Sequence, residues 1–227
     1  MQSHTVANIH KKTFGEYKNR FYGKDIAIIA TGPSLNNYKN IENTINIGVN
    51  KSFLKDNINL DFLFAQDYYA IKDYIDLISN PKYQNIQKFY GSVSNRPYGL
   101  KEIDSSILII PESLRLRHNA KKYFLYSKWP AYPIAFNPDI DTTFLTDGRS
   151  VVFSAMQFAL FTNPKRIYLI GCDCTSGYFD NTVGADASIL IEGWKQLKKF
   201  ADTYYPETEI ISVNPKGLKG IFKDLYQ

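Results

Sequence analysis

The sequence predicts an α/β protein built on a mostly parallel sheet. Short apolar runs that predict strands alternate along the chain with segments whose apolar residues recur at helical spacing. Most of the strand runs are continuously apolar, as parallel strands are when both faces of their sheet are covered. The length of 227 residues suffices for one large domain with a full core. We therefore expect a single doubly wound, Rossmann-like domain over residues 1–227, with helices on both faces of the sheet.

Local patterns place the individual elements. Apolar runs predict strands near residues 25–31, 45–49, 60–65, 86–91, 106–110, 166–172 and 209–213. The spacing of apolar residues predicts helices over 68–79, 149–161 and 188–204. Residues 111–146 interrupt this alternation, because they contain four prolines and a basic, helix-like piece around 113–126. A segment this long between core strands is typical of a binding loop, so we expect a lid or insert near 111–146.

Charge and composition limit the partners and the location. The formal net charge of +5 suits an anionic ligand or membrane surface, but no block of Lys and Arg is dense enough to predict nucleic-acid binding. Cys172 and Cys174 are too close for an unstrained disulfide and lack a second ligand pair for zinc, which predicts free thiols. The chain has neither a signal-peptide pattern nor a run of about 18 apolar residues. We expect a cytoplasmic protein, at most peripheral to the inner face of the membrane.

The first predicted strand ends on Thr31, Gly32, Pro33 and Ser34. Glycine permits a close approach by backbone or ligand, and proline suits the first helical position, where an N–H would lack a partner. Amides at such a helix start can hold a phosphate. The spacing matches neither the Walker pattern nor the dinucleotide-binding pattern. A plain turn and a phosphate site are therefore equally consistent with this stretch.

Polar residues also follow the next strands. Asn50 comes directly after the strand at 45–49, and Asp67 follows the strand at 60–65. Because ligands of open α/β sheets bind at the carboxyl ends of strands, both side chains could face one crevice. Either residue could equally cap the helix that follows it.

The helix predicted over 149–161 has a comparable start. Thr146, Asp147, Gly148 and Ser150 lie there. Asp147 or Ser150 could cap this helix, and Gly148 with the first-turn amides could instead contact a ligand.

The strand at 166–172 ends on Gly171, Cys172 and Asp173, and Tyr178 follows in the next loop. Asp173 could orient a sugar hydroxyl, act as a base or bind a metal.

The three histidines adjoin no nucleophile in a recognised pattern. They are His4, His10 and His118, the last of which lies in a basic stretch that could face an anionic donor or solvent.

Together, these motifs resemble the bacterial sialyltransferases of glycosyltransferase family 42. The resemblance lies in the GPSL turn after the first strand, the Asn after the second strand, and a later block. That block, TDGRSVVFSAMQFALFTNPKRIYLIGCD, is similar to the family's T-S-G, helix, strand and G-x-D sequence, and ISVNPKGL is similar to its final strand. The related 6-hydroxymethylpterin diphosphokinase-like group shares the pattern. The resemblance covers about 25–80 and 144–220.

The resemblance implies a role for each matching residue. Asp173 and Tyr178 would be catalytic, with Tyr178 on the leaving phosphate. The nucleotide-binding residues would be Thr31, Gly32, Pro33, Ser34, Asn50, Asp67, Asp147, Gly148 and Gly171. The family's catalytic histidine has no counterpart before the last long helix, so Asp173, Asp180, Asp186 or His118 would serve as the base.

The expected function is a glycosyltransferase that uses a nucleotide-activated, CMP-linked sugar in bacterial surface-glycan synthesis, with no metal or other cofactor. Its acceptor would be a glycan or a lipid-linked molecule. One alternative is diphosphoryl transfer from ATP, in which Asp67 and Asp173 would hold magnesium. Another is a non-catalytic nucleotide-binding module. The sequence leaves the oligomeric state open, a homo-oligomer included.

The C-terminal stretch predicts one more helix. Leu218, Ile221, Phe222 and Leu225 recur at helical spacing, and lysines lie largely off that stripe. Burying these apolar side chains stabilises the fold by roughly 1.5–3 kcal/mol each, against about 1 kcal/mol per lysine at an anionic membrane. We therefore expect the helix to pack on the sheet.

Overall fold

The computed structural model describes residues 2–66, 71–95, 112–118, 122–127, 134–184 and 186–225. These residues form an α/β fold around a nine-stranded sheet in which all paired strands are parallel. The strands are β1 (Asp25–Ile29), β2 (Thr44–Val49), β3 (Phe62–Ala65), β4 (Gln87–Asn95), β5 (Lys122–Ser127), β6 (Leu145–Thr146), β7 (Arg166–Ile170), β8 (Glu209–Ser212) and β9 (Lys223–Asp224). Their order across the sheet is β6-β5-β4-β3-β2-β1-β7-β8-β9.

The order of the strands confirms the doubly wound prediction. From β1 the chain builds the sheet outward through β2 to β6, and it then returns to place β7 on the other side of β1. The carboxyl end of β1 is therefore next to those of β2 and β7. Ile29 at that end pairs with Gly48 of β2 and with Ile170 of β7.

The α-helices in the described ranges are α1 (Gln2–Phe14), α2 (Ile75–Ile78), α3 (Glu112–Arg117), α4 (Val151–Phe161) and α5 (Ile191–Tyr204). Short 3-10 helices lie at Gly15–Tyr17, Pro33–Asn37, Asn50–Leu54, Lys72–Tyr74, Pro81–Tyr83 and Ser188–Leu190. None of the helices in these ranges combines the length and the apolar composition that crossing a bilayer requires.

Helices cover both faces of the sheet, as predicted, but the long helices α4 and α5 lie on one face and the short 3-10 helix Pro33–Asn37 lies on the other. Alternate residues of a strand point to opposite faces, and Ile26 and Ile28 of β1 join the core that contains α4 and the inner side of α5. Every residue of α4 is buried. Ala27 and Ile29 face the other side, where the 3-10 helix Pro33–Asn37 and neighbouring loops cover the sheet.

The predicted strands at 25–31, 45–49, 60–65, 86–91, 166–172 and 209–213 are confirmed, and the prediction at 106–110 lies outside the described residues. The helices predicted over 149–161 and 188–204 are confirmed as α4 and α5. Of the helix predicted over 68–79, residues 68–70 lie outside the described ranges, and the remainder forms a 3-10 turn followed by the short helix α2.

The helix-like piece predicted around 113–126 is wrong in its second half. Helix α3 ends at Arg117, and residues 122–127 form β5, which pairs with β4. The stretch from Lys122 to Ser127 contains the aromatic residues Tyr123, Phe124 and Tyr126, which favour a strand. The interval 111–146 thus supplies β5 and β6 to the sheet, and its role as a lid remains a prediction.

The predicted C-terminal helix is also wrong. Residues after β8 form turns and the two-residue strand β9, which pairs with β8. Gly220 has a φ of +77°, a left-handed conformation that interrupts a helix. The apolar side chains still pack as expected, because Leu218 and Phe222 are buried in the main core.

Candidate functional site

A cavity of about 380 Å³ opens at the carboxyl ends of the strands. Its walls come from residues that follow β1, β2, β3, β6 and β7. The strand order reverses between β1 and β7, and ligands of open α/β sheets bind in the crevice at such a reversal. The volume lies within the range of small-molecule sites. This cavity is therefore the candidate site.

The turn after β1 and the end of β7 are held against each other at this point. The carboxylate of Asp173 accepts a 2.7 Å hydrogen bond from the backbone N–H of Ser34. A Cβ atom on Gly32 would lie 2.3 Å from Asp173 Oδ2 and 2.5 Å from the carbonyl oxygen of Gly171. Only glycine leaves room for this contact, which explains the glycine at the end of the first strand.

The same contact changes the role of the GPSL turn. Thr31 and Gly32 line the cavity, whereas Pro33 and Ser34 lie outside its wall. The Ser34 amide, predicted to meet a ligand's phosphate, donates to the carboxylate of Asp173. An anion from the protein itself therefore occupies the start of this short helix.

Asp173 nevertheless keeps one oxygen for a ligand. The residue lines the cavity and is only 3% exposed. Its Oδ1 atom is buried and has no hydrogen-bond partner among the residues that the structure describes. A buried carboxylate oxygen in this state is costly unless a donor reaches it. The position of this atom favours a ligand that brings a hydroxyl or amino group.

Asn50 presents a second unpartnered group in the same cavity. Its backbone is left-handed with a φ of 47°, a conformation that asparagine tolerates better than most residues. Its Oδ1 atom is buried and has no partner within the described part of the chain. The alternative that Asn50 caps a helix is not supported, because Val49 occupies the N-cap position and no side-chain cap is formed.

Gln66 directly follows β3, and the sequence analysis did not predict it as a site residue but named its neighbour Asp67. Gln66 lines the cavity and is 5% exposed, and its Oε1 accepts a 3.0 Å hydrogen bond from the buried hydroxyl of Ser154 on α4. This bond fixes the orientation of the carboxamide, whose N–H groups donate to no described residue and can bind a ligand. Asp67 lies outside the described residues.

The turn before α4 supplies another part of the wall. Asp147, Arg149 and Ser150 line the cavity, and Ser150 caps α4 by accepting from the Val152 amide at 3.4 Å. Asp147 is buried and accepts from the Arg149 amide at 3.1 Å. Gly148 does not line the cavity. A Cβ atom at this position would contact Phe153 and Ile134 in the core. Arg149 is exposed and brings a cationic guanidinium to the wall, and the sequence analysis did not predict it as a site residue.

The loop after β7 brings Tyr178 to the opposite side of the cavity. Gly171, Cys172 and Asp173 line the cavity with Tyr178, whose side chain is among the exposed aromatic residues. The apolar part of the wall consists of Val151, Val152, Ile189, Leu190 and Trp194. The cavity thus combines polar strand ends with an apolar side, as sites for organic ligands do.

The two cysteines are free, as predicted. Burial raises the pKa of Cys172 well above its usual value. Burial also raises the pKa of Cys174 to about 12. Both side chains therefore remain thiols at neutral pH, and neither has the thiolate character of a nucleophile.

No histidine among the described residues lines the cavity. His118 is buried beside β4, where its Nδ1 lies 2.8 Å from the hydroxyl of Tyr90. His10 is also buried, with its Nδ1 2.8 Å from the carbonyl oxygen of Ile140, and the side chain of His4 lies outside the described residues. The described residues include no group of three or more His, Cys, Asp or Glu side chains placed to hold a metal ion.

Comparison of the chain with protein-family models, with curated proteins and with solved structures gives no match.

Proposed function

We propose that this protein is a glycosyltransferase that uses a nucleotide-activated, CMP-linked sugar to build a bacterial surface glycan. The observation that carries the proposal is a pair of buried polar atoms, on Asp173 and Asn50, that have no partner within the described ranges and lie in a cavity at the strand reversal. Such groups are satisfied by ligand hydroxyls. A nucleotide sugar has hydroxyls on both its ribose and its transferred sugar.

The charged groups of the cavity suit the departing nucleotide. Arg149 and the phenol of Tyr178 line the cavity, and both can donate to a phosphate oxygen. In the proposed reaction, the acceptor hydroxyl forms a bond to the anomeric carbon while the bond from that carbon to the phosphate oxygen breaks. The nucleotide then leaves as CMP, and donors near its phosphate stabilise the developing charge.

Asp173 is the best candidate for the base that removes the acceptor's proton. Burial alone would raise the pKa of Asp180, but hydrogen bonds from Lys51 and Thr182 outweigh it and lower the pKa. Hydrogen bonds from Ser188 lower the pKa of Asp186. Both are therefore weakened as bases, whereas one oxygen of Asp173 in the cavity has no hydrogen-bond partner in the part of the chain that the structure describes.

The charge of the cavity distinguishes this proposal from the alternative, diphosphoryl transfer from ATP. The acidic and basic residues of the lining are Asp147, Asp173, Asp186 and Arg149, which give three carboxylates and one guanidinium, a formal charge of −2. Such a surface would repel a triphosphate unless magnesium accompanied it. A CMP-linked donor carries less phosphate charge than ATP, so this charge favours the first proposal when no metal is supplied.

Thermal unfolding with CMP, CDP, UDP, GDP and ATP, each with and without magnesium, tests the proposal. We expect CMP to raise the stability without magnesium, by about 2.7 kcal/mol at a concentration 100 times Kd. Stabilisation by ATP only in the presence of magnesium would favour diphosphoryl transfer instead. Stabilisation by none of these nucleotides would overturn both proposals.

A matched pair of variants ties binding to the cavity. Asn50→Gly removes the carboxamide, and glycine accepts the left-handed backbone at that position. Asn43→Gly makes the same exchange at an exposed residue whose φ is 60°, outside the cavity wall. We expect Asn50→Gly to weaken CMP binding about tenfold and Asn43→Gly to leave it unchanged.

A further inference from the structure

Lys51, which follows Asn50 directly, is a buried cation beside the site. Its side chain is 9% exposed and belongs to the 3-10 helix Asn50–Leu54 after β2. Its ammonium donates to both carboxylate oxygens of Asp180, at 3.0 and 2.8 Å, and to the hydroxyl of Thr182 at 2.6 Å. A lysine has three N–H donors, and these contacts use all of them. Lys51 therefore has no donor left for a ligand's phosphate.

The partners of Lys51 belong to the β7 loop, which we define as residues 171–184. This loop passes the end of β1, where the Phe179 amide donates to the carbonyl oxygen of Thr31 at 3.0 Å. The side chain of Asn36 donates to the carbonyl oxygen of Phe179 at 2.6 Å. Lys51 adds a link from the segment after β2 to this loop. The ion pair thus connects two elements that stand on either side of β1.

The link ends at a residue of the cavity wall. The Lys51 ammonium lies 4.0 Å from the centre of the Tyr178 ring, a cation–π contact. Gly184 packs closely on the same ring, because a Cβ there would lie 2.7 Å from Cε2. Lys51 and Gly184 therefore restrict the ring, while Tyr178 as a whole remains 36% exposed at the cavity.

We infer that Lys51 is a positioning residue: bound to Asp180 and Thr182, it holds the β7 loop so that Tyr178 faces the ligand cavity. A ring that is already in place binds a ligand without a further loss of conformational freedom. The contact of the phenol with a leaving phosphate rests on the proposed function. The effect of Lys51 on the loop does not depend on it.

Hydrogen exchange of the unliganded full chain tests the effect on the loop. Lys51→Met removes the charge but keeps an apolar stem of similar length. We expect amides of residues 175–184 to exchange about tenfold faster in this variant, and those of α4 to be unchanged. Lys51→Arg should restore most of the protection. Lys198→Met, which removes an exposed ion pair with Asp202, is the control and should leave the loop unchanged.

Calorimetry with CMP then tests whether Lys51 acts through Tyr178. We expect Lys51→Met to weaken CMP binding about tenfold in the native sequence and to have no further effect in a Tyr178→Leu background. Additive effects of the two substitutions would overturn the inference, as would unchanged exchange of the loop. Asp180→Asn serves as the second variant if Lys51→Met does not fold, and it should produce the same faster exchange.

The exchange result also separates this inference from the proposed function. If the loop exchanges faster in Lys51→Met while the native chain binds no nucleotide, the positioning role stands and the glycosyltransferase proposal fails. If CMP binds and neither variant changes the loop or the affinity, the positioning role fails and the proposed function stands.

Discussion

The backbone N–H of Ser34 donates a 2.7 Å hydrogen bond to the carboxylate of Asp173, which lies 139 residues later in the chain. The bond joins the turn after β1 to the end of β7, the two strands between which the sheet reverses direction. Because a protein carboxylate occupies this turn, we expect other groups of the cavity wall to contact the phosphate of the proposed nucleotide ligand. Arg149 and Tyr178 both line the cavity, and they are the side chains that we propose for this contact.

Substitution of Asp173 should separate its structural role from its chemical role. Asp173→Asn keeps an oxygen that accepts from Ser34, so we expect a small loss of stability but a loss of sugar transfer of about 10²–10⁴-fold, as for removal of a general base. Asp173→Ala leaves the Ser34 amide without its partner and should cost about 1–3 kcal/mol of unfolding free energy.

Denaturant unfolding measures the stability of both variants, and a transfer assay with a CMP-linked sugar measures their activity. The control is Asp202→Ala, whose exposed ion pair with Lys198 should contribute less than about 1 kcal/mol. Full transfer activity in Asp173→Asn would show that another group removes the proton.

Gly32→Ala should destabilise the fold through steric overlap alone, without strain in the backbone. The backbone at Gly32 has a φ of −67°, which any residue adopts, but the new Cβ would lie 2.3 Å from Asp173 Oδ2. We expect a loss of about 1–3 kcal/mol, the usual cost of overpacking, measured by denaturant unfolding.

Gly15→Ala is the matched control for this substitution. Its new Cβ would meet its nearest neighbour, Lys11 Cγ, at 3.6 Å, an ordinary contact. An equal stability for the two alanine variants would contradict the tight contact between the first turn and Asp173.

The pair formed by Gln66 and Ser154 should influence ligand affinity together. Ser154→Ala removes the donor that fixes the Gln66 carboxamide, and we expect CMP binding to weaken about three- to tenfold. In a Gln66→Leu background, Ser154→Ala should have no further effect on the affinity, because the group it orients is gone. Calorimetry of the two single variants and the double variant measures this coupling. Independent, additive losses would show that Ser154 does not act through Gln66.

His118 should make the fold less stable in mild acid. Burial is the largest cause that lowers its pKa from 6.5 to about 4, and the charges of Lys88 and Arg117 lower it further. As the pH falls below 6.5, the unfolded chain takes up a proton that the folded chain accepts only near pH 4. The contribution of His118 to the free energy of unfolding is therefore fully present above pH 6.5 and is lost as the pH falls toward 4. We expect a loss of about 2 kcal/mol between pH 7 and pH 5.

His118→Asn removes this titration and keeps a polar group near the hydroxyl of Tyr90. Unfolding measured at pH 5, 6 and 7 should show a flatter dependence on pH in the variant than in the native chain. The same loss of stability in both proteins would mean that His118 does not cause it. Burial also lowers the pKa of His10, and the contribution of His10 to the pH dependence should be the same in both proteins.

The sequence by itself determined the parallel strands and the location of several site residues. Continuously apolar runs specify strands that are buried on both faces, since this property depends only on neighbouring residues. Strand ends, the start of the helix over 149–161 and the loop after the strand at 166–172 pointed to a set of residues that all line the cavity, namely Thr31, Gly32, Asn50, Asp147, Gly171, Asp173 and Tyr178. The strand-end rule named Asp67, which lies outside the described residues, and did not name Gln66, whose side chain lines the cavity.

Only the tertiary structure decided which polar groups pair with one another. Ser34 and Asp173 are 139 residues apart, and Lys51 and Asp180 are 129 apart. These pairs meet because β1, β2 and β7 are neighbours in the sheet. The residues at 122–127 likewise became a strand through pairing with β4, and the C-terminal stripe packed without forming a helix. Local patterns record the preferences of a few adjacent residues, whereas long-range partners depend on the topology of the whole chain.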